Sequence, residues 1–188
     1  MRDAMVFAIF ACGLTPRSAL EIDDASLTRI DKIMALIETC RWGIHDISRV
    51  ELNNQGLPRF NMPFELGLFL GARRFGSAGQ RRKRCLVLDT DPYRFRECLS
   101  DISGQDVTPH NGDPDEVIAA VRRWLSDSLP EQAAPVPGGI EIVRRFTLFQ
   151  SQLPEQCQEA RIEVHELTFA DYTRFVSGWL RGFSAAQA

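Results

Sequence analysis

Blocks of apolar residues alternate with amphipathic segments along the chain, and this alternation predicts strands followed by helices. The continuous apolar run Met5–Cys12 ends at Gly13, which is typical of a strand buried on both faces of a parallel sheet. Trp42–Ile47 and Arg84–Leu88 are shorter runs that predict two further strands, and Asp106–Pro109 fits an edge strand. The pattern therefore predicts four strands.

Apolar positions at helical spacing predict four helices between and after these strands. Ser26 is expected to cap the first, and Asn61 to cap the second, which is largely apolar and has Pro63 in its first turn. The predicted helices are Ser26–Thr39, Phe60–Phe75, a short Tyr93–Ser100 and Pro114–Leu129. Alternation of strands and helices over residues 5–129 favours an α/β fold with a doubly wound parallel sheet.

The composition changes after the last of these helices. Pro130–Gly139 is rich in proline and glycine and predicts a linker between a domain at 1–129 and a helical extension at 140–188. The extension has two candidate helices, Ile140–Leu153 and Thr168–Phe183, and the aromatic residues of the second need a surface to pack on. That surface is either the preceding domain of the same chain or a second subunit, so a homo-oligomer is one of the two expectations.

Composition and charge restrict the class of protein. With 188 residues, 44 % hydrophobic and 25 % charged, the chain has the composition of a globular protein that forms a core without disulfides. A net charge of −3 argues against a nucleic-acid partner, and no apolar run is long enough to span a membrane. Five scattered cysteines favour a reduced, cytoplasmic protein. The first apolar run also fits a signal peptide, but Asp3 is a poor flank for one, so the strand is preferred.

Polar side chains with binding chemistry cluster at the expected exit of the second strand. Asp46, Ser48 and Arg49 supply a carboxylate, a hydroxyl and a guanidinium that suits phosphate. In doubly wound folds ligands bind outside the carboxyl ends of the strands, so these three residues are candidate ligand contacts. The alternative for Asp46 is a structural role in capping a turn. His45 precedes Asp46 on the strand and is expected to point to the opposite face.

A second candidate group opens the helix that follows this strand. Asn61 and Glu65 are four residues apart and share one helical face. Apolar neighbours are expected to desolvate the Glu65 carboxylate partly and raise its pKa, although an interaction with the helix dipole is the structural alternative. Gly67 and Gly71 are expected to let this helix approach the sheet or a ligand closely. Asp89-Thr-Asp91, after the third strand, is a third polar group, and a turn is its expected role.

Two segments of the sequence together resemble known nucleotide-binding proteins. Asp46-Ile-Ser-Arg49 followed by Phe60-Asn-Met-Pro-Phe-Glu-Leu-Gly-Leu-Phe-Leu-Gly71 is similar to bacterial TIR-like nucleotide-binding proteins, and its layout also resembles nucleoside 2-deoxyribosyltransferases. The resemblance covers about residues 5–129 and implies a flavodoxin-like sheet and chemistry at an N-glycosidic bond. It also implies that Glu65 is the catalytic residue, which stabilises or traps the positive charge that develops on the ribose.

The same resemblance implies a ligand and its contacts. NAD⁺ or a related nucleotide is the expected small-molecule partner, as a substrate rather than a bound cofactor, and loss of nicotinamide is the expected reaction. The expected substrate contacts are Asp46, Ser48, Arg49, Asn61 and Gly13, with Arg49 on a phosphate and Ser48 on a ribose hydroxyl. Deoxyribosyl transfer is the alternative reaction, and a nucleotide-sensing or assembly module without activity is the alternative class. No spacing of histidines and cysteines predicts a metal site.

Overall fold

The structure, a computed structural model, describes residues 1–49, 52 and 54–185 of the chain. The α-helices in these residues are α1 (Arg2–Ala11), α2 (Arg29–Thr39), α3 (Asn61–Phe75), α4 (Ala78–Arg81), α5 (Pro114–Ser128), α6 (Gly139–Ala160) and α7 (Phe169–Ala185). The strands are β1 (Trp42–Asp46), β2 (Arg84–Asp89) and β3 (Val107–Pro109). Short 3₁₀ helices lie at Ala19–Glu21, Arg94–Glu97, Ser100–Ile102 and Val164–Glu166.

Contacts within the chain divide it into an α/β unit and a helical unit. The α/β unit is Asp24–Asp113 and holds the three strands with α2, α3 and α4. The helical unit combines Met1–Asp23 with Pro114–Ala188. This grouping by contacts cuts across the boundary at residue 129 that composition suggests. The parallel strands with their helices confirm the α/β class predicted from the sequence.

The three strands form one parallel sheet in the order β1-β2-β3. His45 is paired with Val87, and Val87 with Val107, so these three side chains share one face of the sheet. Because all the strands run in the same direction, their carboxyl ends lie along the same edge. The parallel pairing therefore brings the residues that follow each strand close to one another, which is how α/β folds assemble ligand sites.

Helix α3 covers the face of the sheet that holds His45 and Val87. Leu66 and Phe69 of this helix are buried, and Phe69 meets His45 edge-on with the ring centroids 5.0 Å apart. The buried cluster on this face contains Ile47, Leu66, Val87 and Phe95, with Met62, Leu70, Cys85, Leu99, Ile102 and Val107 packed against it. The core of the α/β unit thus joins α3 and the chain after β2 to the sheet.

Lys83 joins the end of α2 to the start of β2. Its side chain is buried, and Nζ donates hydrogen bonds to the carbonyl oxygens of Ile37 and Cys40 at the C-terminal end of α2. The last carbonyls of a helix have no partner inside it, and a cation also stabilises the negative end of the helix dipole. Burial lowers the pKa of the Lys83 amine.

The helical unit is built around α1, which packs against α5, α6 and α7. Phe7 is fully buried, and its ring centroid lies 5.4 Å from that of Phe146 and 5.5 Å from that of Phe149 in α6. The ring centroid of Trp179 in α7 lies 6.0 Å from that of Phe7. The Tyr172 hydroxyl donates a hydrogen bond to the backbone of α1. The aromatic residues of α7 therefore pack on their own chain, and a homo-oligomer stays a prediction.

The predicted first strand, Met5–Cys12, is wrong because these residues belong to α1 and its C-cap. A run that is apolar at nearly every position does not distinguish a buried strand from a helix buried on several sides. Ala4, Val6, Phe7 and Ala8 are all buried, although they point in different directions around the helix axis. Three neighbouring helices provide that burial, and the sequence of α1 alone does not reveal them.

Two predicted helix caps are also wrong. The N-cap of α2 is Thr28, which exchanges hydrogen bonds with Asp31 in a capping box, and Ser26 lies before the helix. Asn61 is the first residue inside α3, and the N-cap Phe60 forms no hydrogen bond through its side chain. At α2 the polar residue with a partner three residues later is the one that caps the helix, whereas α3 begins without a side-chain cap.

Two other predicted helices differ from the structure in kind or in length. Tyr93 has a left-handed backbone (φ 66°), and the following residues form the two 3₁₀ helices rather than one α-helix. Helix α6 continues through Pro154, whereas the predicted helix ends before it. Leu153 and Cys157, on either side of the proline, are both buried, so the helix packs on its own unit through this turn.

Gly43 in β1 lies where the side chains of Phe69 and His45 fill the space that a side chain at this position would need. A Cβ atom at this position lies 2.7 Å from Cε2 of Phe69 and 2.8 Å from Nε2 of His45. At Gly67 and Gly71 of α3 no atom lies within 4 Å of such a Cβ. The expectation that these two glycines let α3 approach the sheet is therefore wrong, whereas their approach to a ligand stays a prediction. It is the glycine in the strand that lets α3 pack closely on the sheet.

Replacement of Gly43 is expected to destabilise the protein. Gly43→Ala should lower the free energy of unfolding by about 1–3 kcal/mol, because Phe69 or His45 must move to admit the methyl group. Gly71→Ala is the matched control and should raise it by up to about 1 kcal/mol, since alanine favours a helix over glycine. Urea unfolding followed by circular dichroism measures both changes. A Gly43→Ala variant as stable as the wild type would contradict the close packing.

Candidate functional site

The carboxyl ends of the strands carry polar side chains that are largely buried. β1 ends at Asp46 and β2 at Asp89, and His110 follows β3. Their side chains are 11 %, 1 % and 2 % exposed. Buried polar groups need partners, and here the partners come from neighbouring strand ends. We call Asp46, Ser48, Asp89, Arg94 and His110 the strand-end cluster.

An ion pair between Asp89 and Arg94 occupies the centre of the strand-end cluster. Arg94 Nε donates to Asp89 Oδ1 at 3.0 Å, and Nη2 donates to the same oxygen and to the Ser48 carbonyl at 2.9 Å. The Thr90 amide donates a further hydrogen bond to Asp89 Oδ1 at 2.7 Å. The pair neutralises a buried carboxylate and ties the loop after β1 to the end of β2.

Asp46 has contacts with both its own loop and the end of β3. Its Oδ1 accepts a hydrogen bond from the Ser48 amide at 3.0 Å, which is the turn-capping role expected as the structural alternative. The same oxygen lies 3.5 Å from Nε2 of His110. His45, by contrast, packs on Phe69 beneath α3. The prediction that His45 and Asp46 point to opposite faces is confirmed.

Glu65 lies on the second turn of α3, beside the carboxyl end of β1. Its neighbour Leu66 is buried in the same cluster as Ile47, the residue that follows β1. The Glu65 side chain is 17 % exposed, and its Oε1 lies 3.9 Å from Nη2 of Arg29, at the start of α2. Burial raises the pKa of the Glu65 carboxyl and the Arg29 charge opposes that change. A partly desolvated carboxylate can accept a proton or stabilise a nearby cation.

The other predicted site residues are not all brought together. Ser48 is half-buried in the strand-end cluster, whereas Arg49 and Asn61 are exposed. Within the described part of the chain, no hydrogen bond or ion pair joins Arg49 or Asn61 to Asp46. Gly13 lies in the helical unit just after α1, with a left-handed backbone (φ 78°). The proposed roles of Arg49, Asn61 and Gly13 as substrate contacts stay predictions.

Three residues of the site were not found from the sequence. Arg29 and Arg94 pair with Glu65 and Asp89, but each is one arginine among 20 in the chain. No local pattern identifies which arginine meets which carboxylate. His110 did have a signal, since it directly follows a predicted edge strand and strand ends collect ligand contacts.

Exposed aromatic rings also lie near Glu65. Phe60 and Phe64 are 66 % and 56 % exposed, and they are four residues apart at the start of α3, so their side chains share one side of the helix. Contiguous exposed apolar side chains are a feature of surfaces that bind ligands or other proteins. These two side chains are exposed because a different face of α3 packs on the sheet.

The helical unit contains an open groove of about 470 Å³. It is lined by Phe10, Gly13, Leu14, Thr15, Ser177, Leu180, Arg181 and Ser184. Gly13 is the predicted site residue that borders this groove. The groove lies between the end of α1 and the last turns of α7.

Residues 1–49, 52 and 54–185 show neither a group of side chains that could hold a metal ion nor a helix that could span a membrane. Within these ranges no three histidine, cysteine or acidic side chains are arranged to hold a metal ion. None of the helices there is both long and apolar enough to cross a membrane. The five cysteines are all free thiols, and burial raises the pKa of Cys12 to about 11.

Comparison with known proteins finds no relative of this chain. Neither protein-family models nor curated proteins nor solved structures match the chain.

Removal of the Arg94 guanidinium should destabilise the protein strongly. Arg94→Ala leaves Asp89 buried without its counter-ion, which should lower the free energy of unfolding by about 3 kcal/mol. Arg96→Ala is the control, since Arg96 is exposed and lies over the Tyr93 ring at 4.4 Å, a contact that contributes about 1 kcal/mol or less. Thermal or urea unfolding of both variants measures the difference. Equal losses would show that the ion pair does not have this role.

His45 is buried between the sheet and α3 and has no partner for Nε2. Burial lowers its pKa to about 4, so the folded protein holds it in the neutral form. The unfolded chain binds the proton near pH 6.5, the ordinary value for histidine. The stability contributed by neutral His45 is therefore complete above that pH and is lost as the pH falls toward 4.

This titration predicts a difference between the wild type and His45→Gln that depends on pH. From pH 6.5 to pH 4 the wild type should lose about 3 kcal/mol of unfolding free energy relative to the variant, which has no imidazole to protonate. Urea unfolding at a series of pH values measures both proteins. Parallel curves across this range would mean that His45 is protonated in the folded state.

Proposed function

We propose that the chain is a TIR-like protein whose α/β unit binds NAD⁺ or a related nucleotide at the carboxyl ends of its strands. Glu65 is the catalytic carboxylate for hydrolysis of the N-glycosidic bond to nicotinamide, and Asp46, Ser48, Arg49 and Asn61 contact the nucleotide. The observation that carries the proposal is the partly buried Glu65, with its raised pKa, next to the end of β1. The parallel sheet is compatible with a flavodoxin-like, doubly wound layout, which is part of the proposal.

The proposed reaction suits a fixed carboxylate. Cleavage of the bond between the ribose C1′ and the nicotinamide nitrogen sends the bonding electrons to that positively charged nitrogen, so nicotinamide leaves without a proton. Positive charge develops on the ribose, and the Glu65 carboxylate stabilises it. Water then bonds to C1′ and loses a proton to Glu65 or to solvent.

Charged and aromatic groups of the α/β unit supply complementary contacts for a nucleotide. Arg29 is 59 % exposed beside Glu65 and Arg49 is exposed after β1, and guanidinium groups bind phosphate in a bidentate manner. The exposed rings of Phe60 and Phe64 suit a planar base, since base-aromatic stacking contributes about 1–3 kcal/mol per base. Together these groups match the phosphates and the base of a dinucleotide.

A nucleotide sensor without catalytic activity is the second candidate. The Arg29 guanidinium, 3.9 Å from Glu65 Oε1, favours it, because its positive charge opposes the effect of burial and makes the carboxylate a weaker base and nucleophile than burial alone would. In this alternative the same surface binds the nucleotide, and binding rather than cleavage is the signal.

Nicotinamide release from NAD⁺ tests the proposal. The purified chain at high concentration should release nicotinamide, measured by chromatography, and Glu65→Gln should lower the rate by about 100-fold or more. Glu38→Gln is the matched control, since Glu38 is an exposed helical glutamate of α2. The wild-type rate should fall as the pH drops through the raised pKa of Glu65, because protonation removes the required negative charge.

Each other outcome separates the candidates. Nucleotide binding without release favours the sensor, and release of free base from deoxynucleosides favours a deoxyribosyltransferase. Release that survives in Glu65→Gln overturns the catalytic role of Glu65. Absence of nucleotide binding overturns the proposal as a whole.

A further inference from the structure

His110 is the most unusual buried group in the strand-end cluster. Its side chain is 2 % exposed, and Nε2 is buried with no hydrogen-bond partner. Asp46 Oδ1 lies 3.5 Å from this nitrogen, which is too long for a hydrogen bond. A buried polar group without a partner costs about 1–3 kcal/mol, so a position like this one calls for a functional explanation.

The hydrogen bond at the other nitrogen defines how the imidazole is protonated. Nδ1 of His110 accepts a hydrogen bond from the Gly112 amide at 3.1 Å. An acceptor nitrogen carries no proton, so the neutral ring has its proton on Nε2. The unpartnered atom is therefore an N–H donor that faces the carboxylate of Asp46.

Asp46 is held at one oxygen and open at the other. The Ser48 amide and the His110 imidazole both approach Oδ1, at 3.0 Å and 3.5 Å. Within the described residues, no hydrogen bond reaches Oδ2. The Asp46 side chain is 11 % exposed, so it retains some access to solvent while His110 lies behind it.

We propose that His110 is a positioning residue, which holds Oδ1 of Asp46 against the protein so that Oδ2 accepts a hydrogen bond from a ribose hydroxyl of the bound nucleotide. The inference rests on the proposed function, since it takes Asp46 as a nucleotide contact. Carboxylates at strand ends bind ribose hydroxyls in other nucleotide-binding sheets. Hydrogen bonds in binding sites are often long in the free protein and tighten in the complex, and in this proposal binding closes the gap between Nε2 and Oδ1.

Affinity for NAD⁺, measured by calorimetry, tests this role. His110→Phe should weaken binding about tenfold, the contribution expected of a hydrogen bond to a charged group. His110→Gln should stay within about threefold of the wild type, because its amide can still donate to Asp46. Asp46→Asn combined with His110→Phe should bind about as weakly as Asp46→Asn alone, since residues that act as one unit are not additive.

His45→Gln is the matched control for these variants. It alters the other buried histidine of the sheet, which also lacks a partner for Nε2 but faces Phe69 instead of a carboxylate. Its NAD⁺ affinity should equal that of the wild type. Thermal unfolding of every variant shows that the compared proteins are folded at the temperature of the binding measurement.

Three results would overturn the positioning role. Equal losses in His110→Phe and His110→Gln would mean that no donor is needed, and losses that multiply in the double variant would separate His110 from Asp46. Nuclear magnetic resonance of the imidazole nitrogens should show the proton on Nε2, and a proton on Nδ1 would remove the donor.

If the wild type binds no NAD⁺, the proposed function fails. The melting temperatures of the single and double variants then decide whether Asp46 and His110 act together, and additive changes would overturn that pairing.

Discussion

The buried carboxylate of Asp89 is the constraint around which the edge of the sheet is built. A charge that is 1 % exposed requires a counter-ion, and Arg94 supplies it from only five residues further along the chain. The left-handed backbone of Tyr93 lies within the turn that makes this return possible. Because Arg94 also binds the Ser48 carbonyl, the same guanidinium fixes the loop that carries Asp46. The candidate site thus depends on an ion pair that need not touch a ligand.

Two buried histidines of the sheet show how the partner determines the role of a side chain. His45 and His110 both lack a hydrogen bond at Nε2. His45 faces the ring of Phe69, and burial lowers its pKa to about 4, so it acts as a neutral packing group. His110 faces Asp46 and therefore has an acceptor to orient. Alternation of side chains along β1 separates the two environments, since adjacent residues of a strand point to opposite faces.

The sequence predicted the α/β part of the chain well and the start of the chain poorly. The bounds of β1, β2 and β3 agree with the predicted strands to within one residue, because turn and loop residues flank each short segment and limit its length. The apolar pattern of α1 predicts a strand, but the segment is a helix because its burial comes from helices distant in sequence. Among the site residues, the partly desolvated state of Glu65 followed from its apolar neighbours. Its partner Arg29 did not, because a pair between two helices leaves no local pattern.

The sequence by itself determined the order of α2, β1, α3, β2, β3 and α5 and the residue types at each strand end, because periodicity and turn residues act over a few neighbouring positions. It also placed Asp46, Ser48 and Glu65 near the carboxyl ends of the strands. Only the tertiary structure decided which side chains meet. The pairs of Asp89 with Arg94, of Asp46 with His110 and of Glu65 with Arg29 depend on parallel strand pairing and helix packing. Those contacts join separate segments, and their geometry is set by the burial of the core rather than by any one segment.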